Sequence, residues 1–362
     1  MNKITKALLV LFFTLHAAIS YAQDIQFSMF YAVPMYINPA FAGSRHANRF
    51  MLHARWQWYL QPAKYYTYFA SFDTYFMKYK SGLGASVIQD YQGSSGSSIT
   101  STHFNVAYAY EVRLTNAYTL RFGLQGGFIS SGLGAGVLPA DLVNDREPVS
   151  SGGFAGSNIA PDISFGALFF TRRLWASFSM HHLNKPDIKF TPLTKEVWPV
   201  KITLTGGYKI PILLHPDADG KHSDNPIMMS IIPTATWKTQ GGTDSYFNFQ
   251  NDQIDLGIYW TYKWMLAGVW YRGIPIKATR SSTADGSGGR YYPNNESVVF
   301  LVGGSLMGIG FGYAYDLTVS TQGIGTGGVH EINLSYVFRT RRAPKFRRLP
   351  CPDFEYDLIK RN

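Results

Sequence analysis

Two glycine-rich runs, a histidine pair and a scatter of carboxylates are the residues here whose types and spacing could do chemistry. GLGAG at 132–136 and GIGFG at 308–312 resemble loops that cradle phosphate. Such a loop works between a strand and the first turn of a helix. The first run has no helical pattern after it, and the second reads as the small-residue face of a strand, so tight turns and close packing explain the glycines. His181 and His182, with Asp187 nearby, are metal-ligand types. Adjacent residues on a strand point to opposite faces, so the two rings are not expected to share an ion. Asp217, Asp219 and Asp224 lie in a polar stretch that lacks the spacing and closing glutamate of a calcium loop. Asp73, Asp255, Asp316 and Glu331 share the polar side of their strands with Arg121, which suggests a balanced charge network. No acid, base and nucleophile are paired along the chain. The sequence therefore leads us to expect no catalytic residue, no cofactor and no metal.

The elements that must position these groups are strands, and the chain reaches them from a leader. Lys3 and Lys6 precede a short apolar run from Ala7 to Ala18, and Ser20-Tyr21-Ala22 has small residues where a signal peptidase reads. Cleavage after Ala22 is expected, leaving Gln23 first. The run is too short to span a bilayer, and no Cys follows the cleavage site to carry a lipid. Hydrophobic residues make up 46% of the chain and aromatics 16%, with 25 Phe, 24 Tyr and 35 Gly, while charged residues are 15%. Soluble domains carry about 25% charged residues. Few charges and many aromatics, without an apolar run of helical length, point to a transmembrane antiparallel β-barrel. The lone Cys351 excludes an internal disulfide and a cysteine-rich metal site. Of the net charge of +10, half sits in the terminal run around RTRRAPKFRR. A nucleic-acid protein spreads its basic residues over a folded face, so no nucleic-acid partner is expected.

Alternation with period two carries the barrel assignment. Ile254, Leu256, Ile258, Trp260 and Tyr262 share one face, against Gln253, Asp255, Gly257, Tyr259 and Thr261. Met307 to Asp316 repeats the pattern, and so do Ile332, Leu334, Tyr336 and Phe338 against Glu331, Asn333 and Ser335. About fourteen strands follow, at 49–60, 64–77, 82–91, 99–112, 118–129, 161–171, 173–183, 200–210, 227–238, 244–261, 263–272, 296–304, 307–317 and 328–338. An even count suits a bacterial barrel. Connections at 79–81, 115–117, 171–173, 262–263 and 306–307 are short, whereas Ser131–Ala160, Asn184–Pro199 and Gly273–Asn295 are long. Short turns on the periplasmic side and long loops outside are the barrel pattern. Pro211–Pro226 breaks it, as a long connection on the short side. The expected organisation is a signal peptide (1–22), a non-strand amino-terminal segment (23–48), the barrel (49–338) and a periplasmic tail (339–362).

The amino-terminal segment is the unusual part. QDIQFSMFYAVPMYINPAFAGS, Gln23 to Ser44, is aromatic, broken by Pro34 and Pro39, and fits neither helix nor strand. The prolines are expected to force extended geometry, and Asn-Pro and Ala-Gly-Ser to set turns. Its aromatics need a surface, and the lumen is the nearest. We expect residues 23–44 to pack into the barrel from below; the alternative is pairing as an irregular strand.

This segment, with Asn38-Pro39-Ala40-Phe41-Ala42-Gly43 at its core, resembles the signature of the PorP/SprF family of outer-membrane proteins tied to type IX secretion and gliding motility. RWQWYLQPAKYYTYFASFD at 55–73 is similar to the family's first hairpin, HHLNKPD at 181–187 to its His-Leu element, and FGYAYDLTVSTQGIGTGGVHEINLSYVF at 311–338 to its closing hairpin. Cys351-Pro352 with Phe354 is similar to its short Cys-Pro ending. The resemblance implies a non-enzymatic outer-membrane adaptor for type IX secretion or surface anchoring of a large cargo such as a gliding adhesin. It marks Tyr36, Asn38, Pro39, Phe41 and Gly43 as signature residues. Arg341, Arg342, Arg347, Arg348, Cys351 and Pro352 are the expected tail contacts for secretion or motility components in the periplasm, or for acidic membrane lipids. The three long loops are expected to meet the cargo's C-terminal domain. A passive channel for small or hydrophobic solutes is the alternative.

Overall fold

The computed structural model describes residues 24–94, 97–133, 157–188, 197–213, 228–241, 252–280, 291–320 and 323–338. The strands are β1 (Asn48–Gln57), β2 (Lys64–Phe76), β3 (Ser81–Ser94), β4 (Ser97–Arg113), β5 (Thr119–Leu133), β6 (Ser157–Phe170), β7 (Leu174–His181) and β8 (Lys201–Tyr208). They continue as β9 (Ile210–Leu213), β10 (Met228–Gln240), β11 (Gln253–Tyr262), β12 (Met265–Arg280), β13 (Tyr291–Leu306), β14 (Ile309–Thr318) and β15 (Val329–Phe338). Every pairing is antiparallel between neighbours, and β1 closes on β15, Asn48 facing Phe338 and Gln57 facing Val329. β8 and β9 are two parts of one stave. Gly207 faces Thr234 and Ile210 faces Ile231, in unbroken register along β10. Pro233 falls in the gap and has no N–H to give, while the Lys209 amide donates to Arg173 O at 2.8 Å on the other side. The result is a closed ring of fourteen staves.

The faces are inverted relative to a soluble sandwich. Along β15, Glu331, Asn333 and Ser335 are buried, and Ile332, Leu334 and Tyr336 stand about half exposed. Phe50 and Leu52 point out of β1 while Arg49, His53 and Arg55 point in. A soluble core would bury the apolar set. Here the apolar set forms the outer wall, which only lipid can cover without cost, and the polar set lines the lumen. Exposed aromatics ring the short-turn end, among them Phe76, Tyr79, Tyr118, Tyr208, Trp264 and Phe338. Such a girdle marks the membrane interface.

Strand ends differ from the expectation. β12 and β13 run on to Arg280 and Tyr291, through most of the segment assigned to the loop Gly273–Asn295; bulges after Arg272 and Ile274 let the ladder continue. β3 likewise runs on to Ser94 and β4 starts at Ser97, past the expected ends at 91 and 99, and β5 takes in the start of GLGAG. Of the strand placed at 244–261, β11 covers the part from Gln253 on, and residues 244–251 lie outside the described residues. The connection 211–226 begins inside β9, and the rest of it, with Asp217, Asp219 and Asp224, lies outside the described residues. In GIGFG, Gly308 (φ +84°) is part of the turn and not of the strand.

The amino-terminal segment joins no strand. Contrary to the expectation, its prolines do not extend it: after a 3-10 turn at Phe30–Ala32, Pro34 opens an α turn at Pro34–Ile37 and Pro39 a 3-10 turn at Pro39–Phe41. Proline suits the first position of a turn because its missing N–H has no partner there anyway. Asn38 between them is extended (φ −157°, ψ 123°) and accepts from Ala40 N, so it ends one turn and caps the next. The segment runs the length of the lumen. Asp24 meets Lys201 and Gln240 at the long-loop end, and Gly43 meets Asp73 at the short-turn end, just before β1.

Candidate functional site

The polar lining of the barrel and the amino-terminal segment meet in three tiers. At the outer end, Asp24 belongs to no strand and sits among Lys201 (2.9 Å), His182 (3.1 Å), Trp198 Nε1 (2.5 Å) and the Gln240 side chain. His182 also reaches Asp162 at 2.9 Å. The histidine pair departs from the expectation here. His182 lies one residue past β7 in left-handed backbone (φ +59°), which turns its ring inward beside His181, and both are buried. The two rings still have separate partners: His181 contacts Ser164 Oγ and Ile37 O, not the Asp24 group. Asp187 pairs with Val197 in an isolated bridge. Burial alone would raise the Asp24 carboxyl, but Lys201 and His182 outweigh it and hold it well below the usual carboxylate range. A carboxyl lowered by folding contributes stability above its unfolded pKa of about 3.9, and that contribution is lost as pH falls through the folded value. The outer contact should therefore hold throughout the neutral range and yield only in strong acid. A fluorophore at position 26 should show the segment's outer end docked at neutral pH and released in acid, whereas Asp24→Asn should release it at neutral pH as well.

The middle tier centres on Ser28. Its hydroxyl donates to Asp316 Oδ2 (2.5 Å) and accepts from Arg272 Nη2 (2.8 Å) and Arg55 Nη1 (3.2 Å), filling its one donor and two acceptor places. Glu331 accepts the Ser28 amide at 2.9 Å and the Met29 amide at 3.0 Å, and pairs with Arg55. Of the inward carboxylates expected from the sequence, Asp316 and Glu331 fall here, whereas Asp255 pairs with Lys238 (2.8 Å) and Asp73 with Arg49 (2.8 Å). Arg121 pairs with Glu111 (2.9 Å), not with any of the four.

The signature residues run from Tyr36 beside the outer tier down to Gly43 in the lowest, and each touches the barrel. The Tyr36 hydroxyl donates to Ile25 O and accepts from Lys201 at 3.2 Å, with the Phe27 ring edge-on at 5.0 Å. Asn38 Nδ2 is shared by Ala167 O, Ser177 Oγ and Phe178 O, at 2.8–3.0 Å. Pro39 is buried at the head of its turn, and Phe41 lies edge-on to Trp175 at 6.3 Å. Gly43 (φ +68°) donates its amide to Asp73 Oδ2 at 2.8 Å, and a Cβ there would stand 2.6 Å from Thr74 O. Arg121 holds the carbonyls of Ala40 and Ala42. Asn38→Ala takes a donor from two backbone carbonyls and one hydroxyl and the acceptor from the Ala40 amide. At about 1–3 kcal/mol for each unsatisfied buried group, a loss of ~3 kcal/mol is expected, read as a lower urea midpoint of the barrel in micelles. Arg341, Arg342, Arg347, Arg348, Cys351 and Pro352 lie outside the described residues.

Ser28, Arg49, Arg55, Lys201 and Arg272 were not anticipated as site residues. Alternation in β1 carries the signal for two of them, since Arg49 and Arg55 share the parity of His53 and oppose Phe50 and Leu52. Nothing local marks Ser28.

Among solved structures, the chain is similar to a Pseudomonas aeruginosa FadL homologue at 13% identity and TM-score 0.43, covering 83% of this chain and 93% of that one. It is also similar to the Pseudomonas putida toluene transporter TodX at 10% identity and TM-score 0.45, covering 84% and 93%. For the Acinetobacter baumannii outer membrane protein Omp33 the values are 8%, 0.37, 82% and 99%. No curated protein matches the chain. The family described as type IX secretion system membrane protein PorP/SprF matches residues 19–336. With a transmembrane ring of strands and a match over nearly its whole length, the chain belongs to the PorP/SprF family of type IX secretion system membrane proteins and is an outer-membrane protein with a secretion-related role.

Proposed function

We propose that the chain is an outer-membrane adaptor of type IX secretion, one that holds or helps export a large cargo such as a gliding adhesin and neither conducts solutes nor catalyses a reaction. The observation that carries this reading is the amino-terminal segment, whose side chains and backbone contact polar and charged groups of the lumen wall near both ends and at the middle. A lumen so occupied suits a closed scaffold that works through its surfaces. The cargo's C-terminal domain would meet the outer connections around 131–160, 184–199 and 273–295. The basic tail from Arg339 to Arg348, with Cys351 and Pro352, would meet periplasmic secretion or motility components, or acidic lipid headgroups.

Planar-bilayer recording of the purified barrel tests the closed lumen. Silence is expected, whereas solute-selective current would favour the passive channel. A deletion strain tests the adaptor itself through a census of surface adhesins and a gliding assay. Loss of one or a few large adhesins is expected, and normal display with normal gliding would overturn the reading.

A further inference from the structure

At the outer end of the lumen a cavity of about 350 Å³ lies between the amino-terminal segment and strands β8, β10, β11 and β13. Small-ligand sites begin at about this size, ~300 Å³. Ile25, Phe30 and Ile37 form an apolar wall. The polar wall is not balanced. Lys201 and Lys238 line it, but each is closed in an ion pair, with Asp24 at 2.9 Å and Asp255 at 2.8 Å. Asp252 and Glu296 have no equivalent match. Asp252 Oδ1 is buried and accepts no hydrogen bond. The Glu296 side chain stands 45% exposed and approaches Arg272 only to 3.7 Å, and that guanidinium is already 3.2 Å from Asp316. Gln253 donates to Glu296 Oε2 at 3.2 Å, so this carboxylate has one neutral hydrogen-bond donor and a long ion pair to a guanidinium that it shares with Asp316. Thr236, 1% exposed on the same lining, has a hydroxyl that no side chain answers.

A buried carboxylate oxygen without a donor is costly, and a cationic donor removes that cost better than water does. An apolar wall beside two under-matched carboxylates selects a guest with a greasy stem and a positive head. We propose that this cavity binds an organic cation of the arginine or lysine type. Its alkyl stem lies against Ile25, Phe30 and Ile37, and its guanidinium or ammonium is held by Asp252 and Glu296. The two sources of such a group are a free amine and a basic side chain on a docking polypeptide. The inference does not depend on the adaptor reading, because it needs only a cavity open to the outside.

The test is calorimetric titration of the full barrel in detergent micelles with three probes: agmatine, an acetylated and amidated Gly-Arg-Gly peptide, and glutarate. Saturable binding of a cationic probe is expected, weakening as salt rises. Asp252→Asn should weaken it by about tenfold or more, and Glu296→Gln gives an independent reading should the first variant fail to show the heat-dependent gel migration of a folded barrel. Tighter agmatine identifies a free amine as the source, and tighter peptide a docking chain. The proposal is overturned if neither cation binds, if both folded variants bind as the parent does, or if glutarate binds more tightly than either cation.

Discussion

Gly123→Val and Gly166→Val are expected to open a conducting path through the lumen that we propose is closed. The two glycines face each other across the β5–β6 ladder. Together they form the notch that admits Asn38, Pro39 and Ala40. A Cβ on Gly123 would collide with the Ala40 amide and the Pro39 carbonyl carbon, and one on Gly166 with the Asn38 side chain and the Pro39 ring. Valine suits a strand, so the barrel itself should tolerate either change. The segment cannot: at Gly123 the colliding atoms are backbone held by Asn38, Arg121 and the 3-10 turn, and at Gly166 they are the hydrogen-bonded Asn38 amide and the rigid Pro39 ring. Overpacking a fixed contact costs about 1–3 kcal/mol even where side chains can shift, and here there is little to shift. The segment should leave the notch while the ring of strands stays closed. Discrete current steps in planar bilayers, protease cleavage near Ala40 in the folded barrel, and unchanged heat-dependent gel migration are the expected readings together. A variant that folds, stays silent and resists protease would show that the segment does not close the lumen.

Glu331→Ala should cost the most stability of any single lumen substitution. The carboxylate receives the Ser28 and Met29 amides and the Arg55 guanidinium, and all four residues are buried. Removing one partner of a buried ion pair costs about 3–5 kcal/mol because the other charge stays behind without compensation. The expected result is a loss of that order in urea unfolding of the barrel in micelles. Glu331→Gln should cost less, because an amide oxygen still accepts one hydrogen bond. Replacing both Arg55 and Glu331 with methionine should recover part of the loss, as neither charge then remains alone. A loss for Glu331→Ala within about 0.5 kcal/mol of the parent, the range of an ordinary surface change, would contradict the account of the middle tier.

The parts of this fold that are legible in the sequence are those that repeat every two residues. The polar and apolar faces of β11, β14 and β15 can be read directly from residues such as Asp255, Asp316 and Glu331, because side-chain direction along a strand follows from the strand geometry alone. The short turns follow for a related reason, since a barrel that returns tightly on one side leaves few residues between two alternating runs. The ends of strands on the other side are less legible. β12 and β13 continue past the expected boundary because two bulges absorb the irregular residues, and a bulge is decided by the partner strand as much as by its own sequence. The gap between β8 and β9 has the same origin, in Pro233 on β10.

What the sequence by itself determined is therefore a ring of amphipathic strands with its charges inside and an aromatic, proline-broken segment ahead of it. Tertiary structure alone decided which charges meet. Ser28 and Glu331 are 303 positions apart, and Asn38 and Ser177 are 139 apart. Adjacent His181 and His182 share the lumen only because one left-handed residue ends β7 early. The reason is geometric: alternation is a property of each strand, whereas the partner across a lumen depends on closure of the whole ring and on the path of the chain threaded through it.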